Sequence, residues 1–214
     1  MPLSIQKLSS ADEYDRQYRE WVDQQGKRAL ELDWRMTHLL WAQRALLRRF
    51  PPHSRRVLDF GCLDGIFTLR LQQLGGEAVG YDISPAAIAQ AKLFRGTAAK
   101  PVFTTVPPGP GQFDLIYCSE GLEQMETDST LVGELVSYLA PGGSVVGIIP
   151  VGRDFWDPDR KVEYDEVLLK RALGQWGKAR IHRFYRSPFR NFLPLRQKGA
   201  AVFIFQVTPP NPPA

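Results

Sequence analysis

The sequence predicts an α/β domain, a doubly wound and mostly parallel Rossmann-like sheet behind an N-terminal helical segment. Three observations predict it. Short apolar runs alternate strictly with helical segments from Val57 to Leu173, the pattern of linked strand–helix–strand units. A glycine-containing turn, Asp59-Phe60-Gly61-Cys62-Leu63-Asp64-Gly65, closes the first run and opens a helix. Two late runs, around Ile181–Tyr185 and Ala201–Val207, have no helix between them and read as an antiparallel hairpin at the sheet edge.

Each element has a local reason. Over Ala29–Phe50, Leu32, Met36, Leu39, Leu40, Leu46 and Leu47 fall close to helical spacing, predicting one helix that Pro51-Pro52 ends. Val57–Phe60 reads as the first strand, and Ile66–Leu74 as a helix stopped by Gly75-Gly76. Ala78–Ile83 is the second strand; Ser84-Pro85 then supplies an N-cap and a first-turn proline for a helix over Ala86–Phe94. Strands follow at Val102–Val106, Phe113–Cys118 and Ser144–Ile149, with helices at Thr127–Leu139 and Val162–Leu173.

At 214 residues the chain is expected to form one domain. It divides into N-terminal helices over 1–52, a core over 53–207 and a proline-rich tail over 208–214. Charged residues at 23% beside 11% aromatics exclude a disordered chain. No apolar run approaches the roughly 18 residues of a membrane span, and no basic-then-apolar leader opens the sequence, so a soluble cytoplasmic protein is expected. Cys62 and Cys118 alone build no disulfide framework and no zinc spacing, so no metal is expected. Charge is uneven: through Glu166 there are 18 Lys+Arg against 23 Asp+Glu, and from Val167 onward nine basic residues and no acid. That basic quarter is either a solvated face or an attractor of anions.

The turn carries the chemistry. Gly61 and Gly65 let the backbone turn tightly and a ligand approach. Asp82 ends the second strand, 23 residues after Asp59, where nucleotide-binding folds place an acid for ribose hydroxyls. Together they point to an adenosine-type ligand. The spacing does not match the G-x-G-x-x-G of a dinucleotide fold, nor is there a phosphate-binding G-K-[ST].

The stretches VLDFGCLDGIFTLRLQQLG, VGYDISPAAIAQAK, FDLIYCSEGLEQM and LAPGGSVVGIIP resemble, in that order, the class I S-adenosylmethionine-dependent methyltransferases. The resemblance covers roughly residues 57–150. It implies a seven-stranded sheet with an antiparallel last strand, S-adenosylmethionine as cofactor and S-adenosylhomocysteine as product. By position it implies that Asp59, Gly61, Cys62 and Gly65 line the methionine end of the cofactor. Asp82 would hold the ribose, Ile83 would pack on adenine, and Cys118 would lie near the sulfonium, or else fill the core. Three departures stand out. Leu63 replaces a usual glycine, the third strand ends in Thr104-Thr105-Val106 without an acid, and Leu122-Glu123-Gln124 stands where relatives read Leu-Glu-His.

Methyl transfer needs a nucleophile placed in line and, for a hydroxyl, a base within reach. Glu120 and Glu123 are the nearest candidates in sequence, with His182 third; Glu123 serves equally as a cap and His182 as a structural residue. Tyr14, Tyr18 and Trp21 share a helix face, as a core stripe or as a lid over the cofactor. Arg186 and Arg190, in the long segment between the last two strands, suit a phosphorylated or carboxylated acceptor. The expected activity is methylation of a small molecule, at a saccharide or secondary-metabolite hydroxyl or at an amine, without nucleic acid or membrane as partner. RNA 2′-O-methylation and a non-catalytic binding subunit are the alternatives.

Overall fold

Strands and helices alternate as the apolar pattern demands, except that the fourth strand follows the third directly, and the interior strands divide their side chains between two helical layers. The computed structural model describes residues 11–37, 39–119, 128–151, 163–185 and 201–210. Before the sheet come α1 (Ala11–Gln25), a 3-10 turn (Gly26–Leu30), α2 (Leu32–Thr37) and α3 (Trp41–Arg49). Then follow β1 (Arg56–Phe60), α4 (Ile66–Gln73), β2 (Glu77–Tyr81), α5 (Pro85–Arg95), β3 (Val102–Thr104) and β4 (Phe113–Ser119). The remainder is α6 (Asp128–Ser137), β5 (Leu139–Val151), α7 (Glu166–Gly174), β6 (Lys178–Tyr185) and β7 (Ala201–Thr208).

The seven strands lie in the order β3-β2-β1-β4-β5-β7-β6. All pairs are parallel except those of β7, which runs antiparallel to both β5 and β6. The expected hairpin is therefore present, but its second strand sits inside the sheet and β6 forms the edge. Val57, Leu115, Tyr117 and Ile148 face Leu46, Phe67 and Leu71 on one side. Their neighbours Leu58, Ile116, Val145 and Ile149 face Leu131, Leu135, Leu169 and Leu173 on the other. This period of two is what an interior strand buried on both faces requires.

Two expectations change. The single helix over Ala29–Phe50 is instead a 3-10 turn, α2 and α3, because Leu40 adopts the non-helical φ −54°, ψ 140°. The break turns α2 toward α4 and lets α3 bury Ala42, Ala45, Leu46 and Leu47 beneath the sheet. The fifth strand runs over Leu139–Val151 rather than Ser144–Ile149, with a register shift opposite Phe113 and Leu115. The Ser84 cap is as expected: its Oγ accepts the Ala87 N–H at 3.1 Å. Among the described residues, no helix is long and apolar enough to cross a membrane.

Candidate functional site

The strand order reverses between β1 and β4, and in such sheets ligands bind beyond the carboxyl ends of the strands at that switch. Here the chain leaves β1 through three left-handed residues, Gly61 (φ 73°), Leu63 (φ 49°) and Gly65 (φ 76°). The N–H groups of Gly61 and Cys62 both donate to the Tyr81 carbonyl, at 2.9 and 3.0 Å, pinning the turn to the end of β2. The Leu63 N–H donates to Asp82 at 2.8 Å, and the other Asp82 oxygen accepts the Ser84 N–H at 2.9 Å. Burial raises the Asp82 pKa, and these two bonds oppose that rise.

The two glycines have different reasons to be glycine. A Cβ on Gly61 would meet nothing within 4 Å among the described residues, so that face of the turn is open to them. A Cβ on Gly65 would lie 2.5 Å from Phe103 and 2.7 Å from Ala91, so Gly65 permits close packing of the turn on α5 and β3. The Cys62 side chain joins the same packing, buried with Ile88, Ala91 and Phe103. Cys118 is likewise buried, in the cluster under α6 and α7. Both thiols therefore point into the core, not into the open side of the turn.

Carboxylates gather around the turn. Asp59 is buried and accepts the Thr68 hydroxyl at 2.6 Å. Burial first, then the charges of Asp82 and Asp64, push its pKa up to about 7. Asp64, also buried, is met by Arg35 of α2 through Nε at 3.0 Å and Nη2 at 2.8 Å. The Arg35 guanidinium lies 4.7 Å from the Trp21 ring centre, and Trp21 stacks on Tyr18 at 6.1 Å. Asp15 of α1 accepts from the Ser84 hydroxyl and, at 3.0 Å, from the Ala86 N–H. These contacts fasten α1 to the start of α5 and α2 to the turn.

Tyr18 is only 6% exposed, yet its hydroxyl has no hydrogen-bond partner among the described residues. Burial and the nearby Asp64 charge push its ionisation well above the ordinary range. Tyr14 lies one turn earlier and is half-buried, as is Ile83 beyond β2. At the end of β4, the buried Ser119 hydroxyl also has no partner among the described residues. An orphaned buried hydroxyl is rare enough to call for a ligand or water. The donor set suits an adenosine ligand with a cationic end.

His182 stands elsewhere. It lies on the edge strand β6, with β4, β5 and β7 between it and β1, roughly 19 Å away at one strand spacing per step. Its Nε2 contacts Arg49 at 2.5 Å, and burial, Arg49 and Arg180 lower its pKa, in that order. The structure does not bring it to the turn. Glu120, Glu123, Arg186 and Arg190 lie outside the described residues. Asp15, Arg35, Asp64 and Ser119 are the site residues that motif reasoning misses. The four-residue step from Leu32 to Met36 flanks Arg35 without revealing its partner.

Residues 33–192 match a family described as methyltransferase domain. An uncharacterised methyltransferase of Synechocystis sp. is 31% identical over 113 residues, 49% of this chain and 53% of that protein. The trans-aconitate 2-methyltransferase of Delftia acidovorans is 36% identical over 115 residues, 50% of this chain and 43% of its own length. The chain thus spans about half the length of the curated relatives it matches. Among solved structures, the [4+2]-cyclase SpnF superposes with a TM-score of 0.68 at 16% identity, covering 94% of this chain and 97% of that one.

Proposed function

The chain belongs to the methyltransferase domain family, and from that premise we propose that it is an S-adenosylmethionine-dependent methyltransferase acting on a small, anionic acceptor. The observation that carries this reading is the bridge from Leu63 to Asp82 beside the open face of Gly61. An ionised carboxylate has about four acceptor positions, and backbone N–H groups occupy two of those on Asp82. The two that remain suit a ribose cis-diol. Ile83 packs on the adenine, Gly61 lets the methionine end approach, and Asp59 contributes charge beneath it. Gly65, Cys62 and Cys118 act by shaping the turn and the strand ends rather than by side-chain contact. Tyr14 and Tyr18 close the site from α1, with the Tyr18 hydroxyl as a donor.

The cofactor supplies a methyl group already activated on a sulfonium. What the protein adds is alignment and exclusion of water. Glu120 and Glu123 follow β4 directly in sequence and are the bases assigned to take the acceptor's proton. Arg186 and Arg190 would pair with a carboxylate or phosphate on the acceptor. Trans-aconitate, in the name of one relative, supports a carboxylated acceptor, and the O-methyltransferase names of others support oxygen as the methylated atom.

Calorimetric titration with S-adenosylmethionine and S-adenosylhomocysteine tests the reading. Micromolar binding, lost in Asp82→Ala with the fold intact by circular dichroism, is expected. No binding at millimolar cofactor would overturn it. Given binding, methyl transfer is assayed against a panel of polycarboxylates and phosphorylated sugars. Arg186→Ala with Arg190→Ala should raise KM for the acceptor without changing cofactor affinity.

A further inference from the structure

We propose that the basic C-terminal quarter of the chain builds a second ligand site, for a small phosphate-bearing molecule, at the start of β6. The site goes beyond the methyl-transfer reading and does not depend on it, since S-adenosylmethionine carries no phosphate. A recess of about 500 Å³ opens there, lined by Gly177, Lys178, Arg180, Thr208, Pro209 and Pro210, a size suited to a small molecule. Strand pairing sets it apart from the glycine turn. Lys178 is level with Thr208 on β7, and the Thr208 hydroxyl meets that of Ser144 on β5 at 3.2 Å. Ser144 is level with Leu115 and Leu115 with Val57, near the amino ends of β4 and β1. The glycine turn leaves β1 at its carboxyl end.

Backbone shapes the recess before charge lines it. Gly177 (φ 148°) enters β6 pressed against the end of β7, where a Cβ would lie 2.3 Å from the Thr208 carbonyl oxygen and 2.7 Å from the Pro209 Cα. Only glycine allows that approach, and it sets Pro209 and Pro210 along one wall. The Gln206 amide donates to the Ser144 hydroxyl at 3.3 Å, so Gln206, Ser144 and Thr208 form one hydrogen-bonded row across β5 and β7.

Lys178, Arg180 and His182 share one face of β6, each about 7 Å from the next along the strand. That face turns toward α3, because Phe184, next in the alternation, stacks on Trp41 at 6.0 Å. Arg49 of α3 meets His182 Nε2 at 2.5 Å; a guanidinium has only donors, so the imidazole accepts and is neutral. Arg49 therefore adds a third positive charge to those of Lys178 and Arg180. Among the described residues the ion pairs lie elsewhere, and no carboxylate meets any of the three. The sequence holds no acid after Glu166. Such a run of like charge is a standing attraction for an anion. The Lys178 ammonium, the Arg180 fork and the Thr208 hydroxyl line one recess, and donors of such different shape suit a tetrahedral phosphate better than a flat carboxylate. The remaining volume suits the group that carries the phosphate.

Calorimetric titration of the full chain with inorganic phosphate and with pyrophosphate, joined to amide NMR spectra, tests the proposal. Submillimolar binding of pyrophosphate is expected at low salt, with amide shifts at residues 177–180 and 208. Lys178→Ala and Arg180→Ala should each weaken it on the order of tenfold, and the double variant should abolish it with an unchanged circular dichroism spectrum. No binding of either probe at millimolar concentration, binding indifferent to both substitutions, or shifts confined to residues 61–65 would overturn the proposal. A single-stranded RNA oligonucleotide that bound more tightly than pyrophosphate, and lost affinity in the same variants, would overturn the small-molecule assignment and make this face a contact for a phosphate backbone. None of these outcomes bears on the cofactor reading, which the S-adenosylmethionine titration tests separately.

Discussion

Replacing Arg35 by Met removes the cation that compensates Asp64, and with it the guanidinium over the Trp21 ring, while keeping an unbranched aliphatic side chain at that position. The Asp64 side chain is 2% exposed and that of Arg35 17%, with two N–H groups on one carboxylate oxygen at 2.8 and 3.0 Å. Removing one partner of a buried pair costs about 3–5 kcal/mol. The partial exposure of Arg35 places this one at the lower end, about 3 kcal/mol near pH 8. The cost depends on pH with a definite sign. Burial raises the Asp64 pKa and Arg35 pulls it back, so Arg35→Met raises it further. A group whose folded pKa lies above its unfolded one gives stability that is complete below the unfolded value and is lost as pH rises through the folded value. The deficit of the variant therefore shrinks at pH 5 and grows toward pH 8. Urea denaturation of the wild type, Arg35→Met, Asp64→Asn and the double variant closes the cycle. The double variant should recover about 2 kcal/mol relative to additivity. A deficit under about 1 kcal/mol at pH 8, or simple additivity, would refute the reasoning.

Leu63→Gly should stabilise the protein by about 0.5–1 kcal/mol, read as a rise of a few degrees in the calorimetric Tm, because φ 49° costs an L-residue about 1–2 kcal/mol and glycine returns only part of it as entropy. Gly65→Ala should cost about 3 kcal/mol or more in urea denaturation, from overpacking on Phe103 and Ala91 added to left-handed strain. Gly61→Ala, facing open space, should cost about 1 kcal/mol of stability and chiefly weaken cofactor binding in titration. Asp15→Ala removes the bonds to Ser84 and Ala86; we expect a loss of about 1 kcal/mol and faster limited proteolysis within α1. The unliganded protein should lose stability as pH rises through about 7, where Asp59 must ionise while buried. That loss should disappear in Asp59→Asn when Tm is followed from pH 5 to 8.

The central elements are legible because their causes are local. A strand ending just before Gly61, the Ser84-Pro85 start of α5 and the Gly75-Gly76 stop after α4 are each specified within a few residues. The one helix expected over Ala29–Phe50 fails even though its apolar spacing continues across Leu40, because the backbone there turns out of the helix. A continuous helix could not set Arg35 on Asp64 and Leu46 under the sheet together. Arg35 with Asp64 are 29 residues apart, and Asp15 with Ser84 are 69 apart. No periodicity records such pairs, so the sequence offers the acids of the site without the residues that hold them. His182 shows the converse: its residue type invites a catalytic role, and only the strand order places it four strands from the turn.

The position of β7 bears on how the chain is made. It comes last of the strands in sequence, yet it lies between β5 and β6 and is buried along most of its length. Synthesis proceeds from the N-terminus, so the edge of β5 and the detached β6 emerge before the strand that joins them. Until β7 arrives, β5 presents unpaired backbone groups and an apolar run through Val145–Ile149, the kind of edge that recruits other chains. A ribosome-bound intermediate with its first five strands in place would be the form most in need of a chaperone.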